Sequence, residues 1–177
     1  MADAGRGGMS RLSPFRLGLI VTVLGLVADQ ASKLWLLLEV RLEETGPIAL
    51  APFAELRLIW NYGISYGFFQ AQSDLGRWVL VAFSVAASVA LTVWMARVES
   101  RLLAVSLGLV AGGAIGNAID RAWWGAVVDF AHLFLPDRSR SWYVFNLADV
   151  WIVVGVAGLL YDSLVSGPKD ATKSGSS

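Results

Sequence analysis

Carboxylates are the side chains best suited to do chemistry in this sequence. Asp120 and Asp149 lie at the ends of apolar segments, and Asp129 lies between these segments, eight residues after Arg121. Two aspartates that are held close together cannot both ionise, so they share one proton. One can then take a proton from water as a general base, while the other protonates a carbonyl oxygen or a leaving amine as a general acid. Spacing alone leaves all three aspartates as candidates for such a pair.

Other catalytic groups are scarce. The chain has no cysteine and a single histidine, which removes a thiol nucleophile, a thiolate zinc site and a pair of histidine metal ligands. A serine–histidine–aspartate triad would have to use His132, which begins the apolar run HLFL. A serine–lysine dyad would have to use Ser32 and Lys33, but adjacent residues on a helix point about 100° apart. Two-carboxylate chemistry is therefore the best supplied.

Composition indicates the solvent in which these groups work. Of the 177 residues, 56% are hydrophobic and only 16% are charged, and the mean hydropathy is +0.60. Soluble domains are about 45–50% apolar and about 25% charged, so a bilayer is the expected solvent and a disordered chain is excluded. The 14 basic and 14 acidic residues balance, which gives no electrostatic case for binding nucleic acid.

Four apolar segments are long enough to cross the hydrocarbon core, which requires about 20 residues. They cover residues 17–38, 78–96, 102–119 and 147–165. The chain is therefore interpreted as an all-α membrane protein, with an N-terminal segment over 1–16, a four-helix domain over 17–165 and a disordered tail over 166–177. No segment carries the polar stripe of a helix in a soluble bundle. A cleaved signal peptide is disfavoured because no small-residue cleavage site ends the first apolar run.

Basic residues in the short flanks predict the orientation. They are Arg6, Arg11 and Arg16 before the first span, Arg97 and Arg101 between the second and third, and Lys169 and Lys173 in the tail. Four spans place all three regions on one face, which we expect to be cytoplasmic. The longer connections over 39–77 and 120–146 then lie outside. In the first of these, the partial alternation of AELRLIWN over 54–61, with Leu56, Leu58 and Trp60 on one side, predicts a strand in a small sheet on the membrane surface.

This topology gathers the polar residues near one leaflet. Asp29 and Lys33 are four residues apart and share a helix face, where we expect an internal ion pair that packs the bundle. Gly108, Gly112 and Gly116 predict a close contact between helices. The gathered polar set comprises Asp29, Lys33, Asn61, Asn117, Asp120, Arg121, Asp129, Asn146 and Asp149. Ionisable groups at membrane depth are costly and indicate function, so we predict one site at the outer surface.

Five ordered blocks give the chain a resemblance to a known family. They are DQASK over 29–33, NYGISYGF over 61–68, GGAIGNAIDR over 112–121, VVDF over 127–130 and FNLAD over 145–149. From about residue 17 to 164, their order and spacing resemble those of the lipoprotein signal peptidases, also called signal peptidase II. The resemblance implies an aspartic endopeptidase of the bacterial cytoplasmic (inner) membrane, with a small β-sheet in the first outer, periplasmic loop. Such enzymes cut prolipoproteins on the N-terminal side of a diacylglyceryl-modified cysteine, need no metal or cofactor and are inhibited by the cyclic peptide globomycin.

The resemblance also implies roles for individual residues. Asp129 and Asp149 would be the catalytic pair. The positions that would line the pocket or hold the substrate backbone are Asn61, Gly63, Asn117, Arg121 and Asn146. Three further positions, Asp29, Lys33 and Asp120, would be polar supports of the fold.

The expected partners are diacylglyceryl-modified prolipoproteins and membrane lipids, without nucleic acid. We expect a monomer with both termini in the cytoplasm and the active site at the outer, periplasmic face. A small transporter or proton channel is a rival function, but it would need polar residues in both leaflets, and the inner halves of the second and third spans are almost wholly apolar. A second rival is a non-catalytic factor that binds lipoproteins.

Overall fold

The structure of the protein is a computed structural model, and it describes residues 12–64, 69–70, 74–137 and 139–165. In this part of the chain, four helices are long and apolar enough to cross a membrane, which confirms the four predicted spans and the fold class. Residues 1–11 and the predicted tail over 166–177 lie outside the described residues, so the expectations for them stay predictions.

The helices and strands follow one another in a simple order. Helix α1 (Pro14–Leu34) continues into a π-helical turn (Trp35–Glu39), and then come α2 (Leu42–Thr45), β1 (Ile48–Ala51), β2 (Ala54–Asn61), β3 (Gly63–Ile64), β4 (Phe69–Gln70), α3 (Asp74–Met95), α4 (Arg101–Trp124), β5 (Val127–Leu133) and α5 (Leu147–Val165). The long helices α1, α3, α4 and α5 are the four candidate spans.

Local sequence signals set the ends of these helices. Ser13 caps α1 and accepts a hydrogen bond from the backbone N–H of Arg16, and Ser100 caps α4 in the same way, as serine does at helix N-termini. Helix α4 extends five residues beyond the predicted end at residue 119. It stops at Gly125, whose φ of 84° is left-handed, a conformation that glycine adopts at little cost.

Helix α4 is the centre of the bundle and packs against α1, α3 and α5. Of its most apolar stretch, 56% is buried inside the protein, against 22% or less for the other three. The predicted close contact of its glycines is confirmed, since Gly108 and Gly112 lie against the backbone of Gly18 and Thr22 on α1. Because no side chain separates the two backbones, α1 and α4 can bring their polar residues into direct contact.

A three-stranded antiparallel sheet with the order β1-β2-β5 lies at one end of the bundle. Strand β2 confirms the predicted strand over 54–61. Its alternation is interrupted, however, because Leu56 pairs with Ala131 while Ile59 pairs with Asp129. This bulge means that Leu56, Leu58 and Trp60 do not follow one unbroken alternation. Strand β5 lies within the predicted outer connection over 120–146, for which the sequence analysis predicts no strand.

A small apolar core joins the sheet to the helices. Leu36 of the π-helical turn, Leu42 of α2 and Phe130 of β5 are buried together. Phe130 follows Asp129 in β5, so the burial of Phe130 in this core anchors the strand next to Asp129.

Candidate active site

Strand β5 carries Asp129 into the interior between the sheet and the helices. Only 3% of this residue is exposed. Its two carboxylate oxygens each accept one hydrogen bond from a side-chain amide, Oδ2 from Asn61 Nδ2 at 3.0 Å and Oδ1 from Asn146 Nδ2 at 2.7 Å. Asn61 ends the neighbouring strand β2, so the sheet itself supplies one of the two donors.

Asp149 lies in the first turn of α5, where it belongs to a reciprocal cap. Asn146 Oδ1 accepts the backbone N–H of Asp149 at 3.0 Å, and Asp149 Oδ2 accepts the backbone N–H of Asn146 at 3.1 Å. This is the pairing of a capping box, and negative charge is stabilised near a helix N-terminus. Asn117 of α4 donates its Nδ2 to the other oxygen, Oδ1, at 2.9 Å.

Asn146 is the residue that the two carboxylates share. It donates its side chain to Asp129 and its backbone N–H to Asp149. It is almost fully buried, and its second amide hydrogen goes to Asn117 Oδ1 at 3.1 Å. The two aspartates are therefore held on either side of one asparagine, with all four of their oxygens hydrogen-bonded.

The environment of Asp129 alters its acidity. Burial, together with the nearby negative charge of Asp149, raises the pKa of Asp129 from 3.8 to about 7, and the amide bonds from Asn61 and Asn146 only partly offset this. Asp129 is therefore mostly protonated below about pH 7 and can exchange a proton near neutral pH. Asp149 is half-buried and therefore more exposed than Asp129. Two carboxylates in such different surroundings are suited to opposite roles in acid–base catalysis.

An ion triad, which we define as Asp29, Lys33 and Asp120, lies next to the carboxylate pair formed by Asp129 and Asp149. Lys33 Nζ contacts Asp29 Oδ2 at 2.8 Å and Asp120 Oδ2 at 2.7 Å, and all three side chains are at most 2% exposed. Lys33 also donates to Asn117 Oδ1 at 3.2 Å. Gln30 Nε2 bridges the two carboxylates, at 3.1 Å from Asp29 Oδ2 and 2.9 Å from Asp120 Oδ1.

The predicted ion pair between Asp29 and Lys33 is confirmed, and Asp120 is an additional partner that spacing along one helix could not reveal. Sequence reasoning missed Gln30, although it lies inside the DQASK block and its amide is the only neutral group there long enough to reach α4. Ser32 donates to the backbone oxygen of Asp29 at 2.7 Å, which agrees with the exclusion of a dyad between Ser32 and Lys33.

Three further residues complete the site and its surroundings. The backbone N–H of Gly63 donates to Asn61 Oδ1 at 3.1 Å, which turns the Asn61 amide toward Asp129. Arg121 Nη1 donates to the backbone oxygen of Asn117 at 3.3 Å, and within the described part of the chain its buried Nε has no hydrogen-bond partner. His132 lies on the sheet, where its Nδ1 is 3.0 Å from Glu55 Oε1.

The structure thus brings the nine polar residues of the predicted set into one hydrogen-bonded network. It runs from Asn61 through Asp129, Asn146 and Asn117 to Lys33, and includes Asp29, Asp120, Arg121 and Asp149. The residues come from α1, β2, α4, β5 and α5, and Asn146 immediately precedes α5. The arrangement places two carboxylates on one asparagine, one of them buried with a raised pKa, and such groups can act in general acid–base catalysis.

The chain is similar to known proteins over most of its length. A family model described as signal peptidase (SPase) II matches residues 21–165. A lipoprotein signal peptidase of Methylorubrum extorquens (strain PA1) is 56% identical over 158 residues, which cover 89% of this chain and 91% of the relative. A lipoprotein signal peptidase of Nitrobacter hamburgensis is 52% identical over 159 residues, covering 89% of this chain and 97% of the relative.

Solved structures of bacterial membrane enzymes, determined by the in meso method, share the fold. One superposes with a TM-score of 0.70 at 20% sequence identity and covers 91% of this chain and all of its own. A second gives a TM-score of 0.68, also at 20% identity, and covers 88% of this chain and 94% of its own.

Proposed function

Because the chain belongs to the signal peptidase II family, whose members cleave lipoprotein signal peptides, we propose that it does so as an aspartic endopeptidase. The catalytic pair is Asp129 and Asp149. The bond that is cut lies on the N-terminal side of the diacylglyceryl-modified cysteine of a prolipoprotein.

One observation carries this proposal: two carboxylates from different elements flank a single buried asparagine. Asn146 binds Asp129 through its side chain and Asp149 through its backbone. Burial and the neighbouring carboxylate raise the pKa of Asp129 to about 7, so Asp129 can give or take a proton near neutral pH. Pairs that share a proton are suited to activate water and protonate a carbonyl group within one site.

In the proposed reaction, Asp149 is the base and Asp129 is the acid. The Asp149 carboxylate takes a proton from water while the water oxygen attacks the scissile carbonyl carbon, and Asp129 protonates the carbonyl oxygen. Asp129 then recovers a proton from one hydroxyl of the resulting diol as the C–N bond breaks. The leaving amine takes the proton that Asp149 held, which returns both carboxyl groups to their starting state.

Asn117 and Asn61 support the two carboxylates, while Arg121 is available to the substrate. Asn117 donates to Asp149 and Asn61 donates to Asp129. The buried Nε of Arg121 has no partner among the described residues, so we assign it to an oxygen of the substrate backbone. An N–H donor at this position would be satisfied only when substrate is bound.

The substrate reaches this site from the bilayer. Only 11% of the most apolar stretch of α3, and likewise of α5, is buried inside the protein, so most of the lateral surface of these helices is free to face lipid. A lipidated signal peptide is itself held in the membrane, and its acyl chains can lie along these apolar walls.

The site lies at the end of the bundle opposite to Arg16. We propose that Arg16, Arg97 and Arg101 mark the cytoplasmic side, so the carboxylate pair and the sheet lie at the outer face. The functional unit covers residues 17–165, acts as a monomer and has both termini in the cytoplasm.

The proposal predicts that either Asp129→Asn or Asp149→Asn abolishes cleavage. Each change removes one member of the acid–base pair, and we expect a loss of at least about 100-fold in kcat, since each role contributes about 100- to 10,000-fold. The assay follows cleavage of a synthetic diacylglyceryl prolipoprotein peptide by purified enzyme, with and without globomycin.

The matched control is Asp162→Asn, which makes the same chemical change in the same helix as Asp149 but at its other end, where Asp162 accepts a hydrogen bond from Ser100. We expect near-normal activity from this variant. Full activity in the Asp129 or Asp149 variant would refute the assignment. Binding of the peptide by the native enzyme without any cleavage would favour the non-catalytic rival.

A further inference from the structure

The ion triad is larger than the neutralisation of one buried lysine requires. Asp29 lies four residues before Lys33 on the same helix and contacts it at 2.8 Å, which already provides a counter-ion. Asp120 comes from α4 and adds a second carboxylate at 2.7 Å, so two carboxylates share one ammonium group. Burial of an ion is costly, and the additional carboxylate therefore indicates a role beyond charge balance.

That role is visible in the second contact of each carboxylate. Asp29 Oδ1 accepts the backbone N–H of Ala148 at 2.9 Å, and Asp120 Oδ2 accepts the backbone N–H of Val128 at 3.1 Å. Ala148 and Val128 are the residues immediately before the two proposed catalytic aspartates. Each carboxylate of the triad thus holds the main chain one residue away from a reacting group.

Lys33 connects these two backbone contacts and adds a third link to the carboxylate pair. Besides its two ion pairs, it donates to Asn117 Oδ1 at 3.2 Å. An ammonium group can only donate, so this contact fixes which end of the Asn117 amide faces Asp149. Movement of a catalytic group by about 1 Å can cost about 100-fold in rate, so such links are well placed to affect catalysis.

We propose, on the basis of the function proposed above, that Lys33 is a positioning residue for the reaction. Through Asp29 and Asp120 it sets the separation between Asp129 and Asp149. The ion triad acts as a clamp, by which we mean that it holds the backbone at Ala148 and at Val128 in fixed positions. Its effect on the reaction is geometric, because none of its groups touches the scissile bond.

The test uses variants that keep the charge and change only the length of each arm, Asp29→Glu and Asp120→Glu. One extra methylene shifts the carboxylate, and the attached backbone must follow or lose its hydrogen bond. We expect kcat per folded enzyme to fall about 10- to 100-fold, while KM changes by less than about twofold, because the surface that binds the substrate is intact. Asp162→Glu is the matched control and should keep normal kcat.

A pH profile separates positioning from simple loss of stability. If the two carboxylates move apart, each disfavours ionisation of the other less strongly, and the alkaline limb of the activity profile moves to lower pH. A variant that is merely less stable loses amplitude at every pH, and its limbs stay in place.

Should neither glutamate variant accumulate as folded enzyme, Lys33→Arg keeps the charge while changing the donor geometry, and we expect the same loss of kcat from it.

Hydrogen exchange on the native protein provides an independent measurement, and the amides of Val128 and Ala148 should exchange slowly. Fast exchange of both amides would overturn the proposal.

The outcomes distinguish this inference from the proposed function. Normal kcat and an unmoved profile in a folded Asp29→Glu or Asp120→Glu variant would refute the clamp, even when Asp129→Asn and Asp149→Asn are inactive. Activity in those two asparagine variants would refute the catalytic assignment itself, and the clamp with it.

Discussion

At the scale of single residues, the site depends on three asparagines whose amides have only one favourable orientation. Asn61, Asn117 and Asn146 each donate Nδ2 to one of the two carboxylates. The oxygen of each amide faces a group that can only donate. These groups are the backbone N–H of Gly63, the Lys33 ammonium and the backbone N–H of Asp149. Reversing any of the amides would place two donors face to face.

The acidity of Asp129 leads to a prediction about pH dependence. Its pKa of about 7 means that it is protonated below that pH and ionised above it. As the acid must carry a proton to work, kcat/KM should fall about tenfold for each unit of pH above about 7. Cleavage of the lipidated peptide across about pH 5 to 9 measures this limb.

Thermal unfolding in the same buffers provides the control, because a fall in activity that follows a fall in folded enzyme would report denaturation. A profile that stays flat through pH 7 and above would contradict the role of Asp129 as the acid.

At the scale of elements, α1 and α4 form a single functional unit because their backbones lie in contact. The glycines of α4 allow Lys33 to reach Asp120 across the helix interface. Larger residues at these positions would separate the helices and lengthen the contacts of Lys33 with Asp120 and Asn117, which cross from α1 to α4. Packing in the middle of the bundle therefore controls geometry at its end.

We predict that Gly108→Ala destabilises the protein by about 1–3 kcal/mol, as overpacking does, and reduces activity. A Cβ atom at this position would lie 2.5 Å from the backbone oxygen of Gly18, so α1 must move. Gly25→Ala is the matched control, since its Cβ would first meet Trp151 at 3.6 Å, which is ordinary contact. Thermal unfolding in detergent measures both, and equal stability of the two variants would contradict the prediction.

The strands show where pattern recognition from sequence succeeds and where it fails. The alternation over 54–61 was sufficient to predict β2. Strand β5 is mostly buried from Val127 to Phe130, so it lacks the polar alternation of a half-exposed strand. Asp129 interrupts the apolar run of β5. In the sequence, an acidic residue within a short apolar run favours a loop, because the amide partners that allow its burial lie elsewhere in the chain.

At the scale of the whole molecule, the carboxylate pair lies at one end of the bundle, and the connection between α3 and α4, which contains Arg97, lies at the other. Under the proposed function, this polarity lets the enzyme cut a bond near the headgroups while lipid chains lie along its sides. It also makes the orientation of the protein directly measurable.

We predict that a cysteine placed at Asp137 reacts with a membrane-impermeant thiol reagent in intact cells, while one at Glu99 reacts only after the membrane is permeabilised. Both positions are exposed, and the chain has no other cysteine, so each variant reports a single site. The unmodified protein is the control and should not react. Labelling of the Glu99 variant in intact cells would reverse the proposed orientation.

The sequence alone was sufficient to predict four membrane helices, one strand of the three-stranded sheet and the set of residues that form the polar network. This was possible because hydropathy and helical periodicity are local properties that single segments carry. The predicted end of α4 at residue 119 was wrong by five residues. Residues Asp120 and Arg121 belong to α4, because the stop signal is the conformation of Gly125 and not the end of the apolar run.

Only the tertiary structure decided how the three candidate aspartates differ. Asp120 faces α1, where it binds Lys33 and the backbone of Val128, whereas Asp129 is carried back by β5 to face two amides beside Asp149. Spacing along the chain cannot make this distinction, because the partners of each carboxylate come from other elements. The electrostatic environment of a buried acid is a property of the packed molecule.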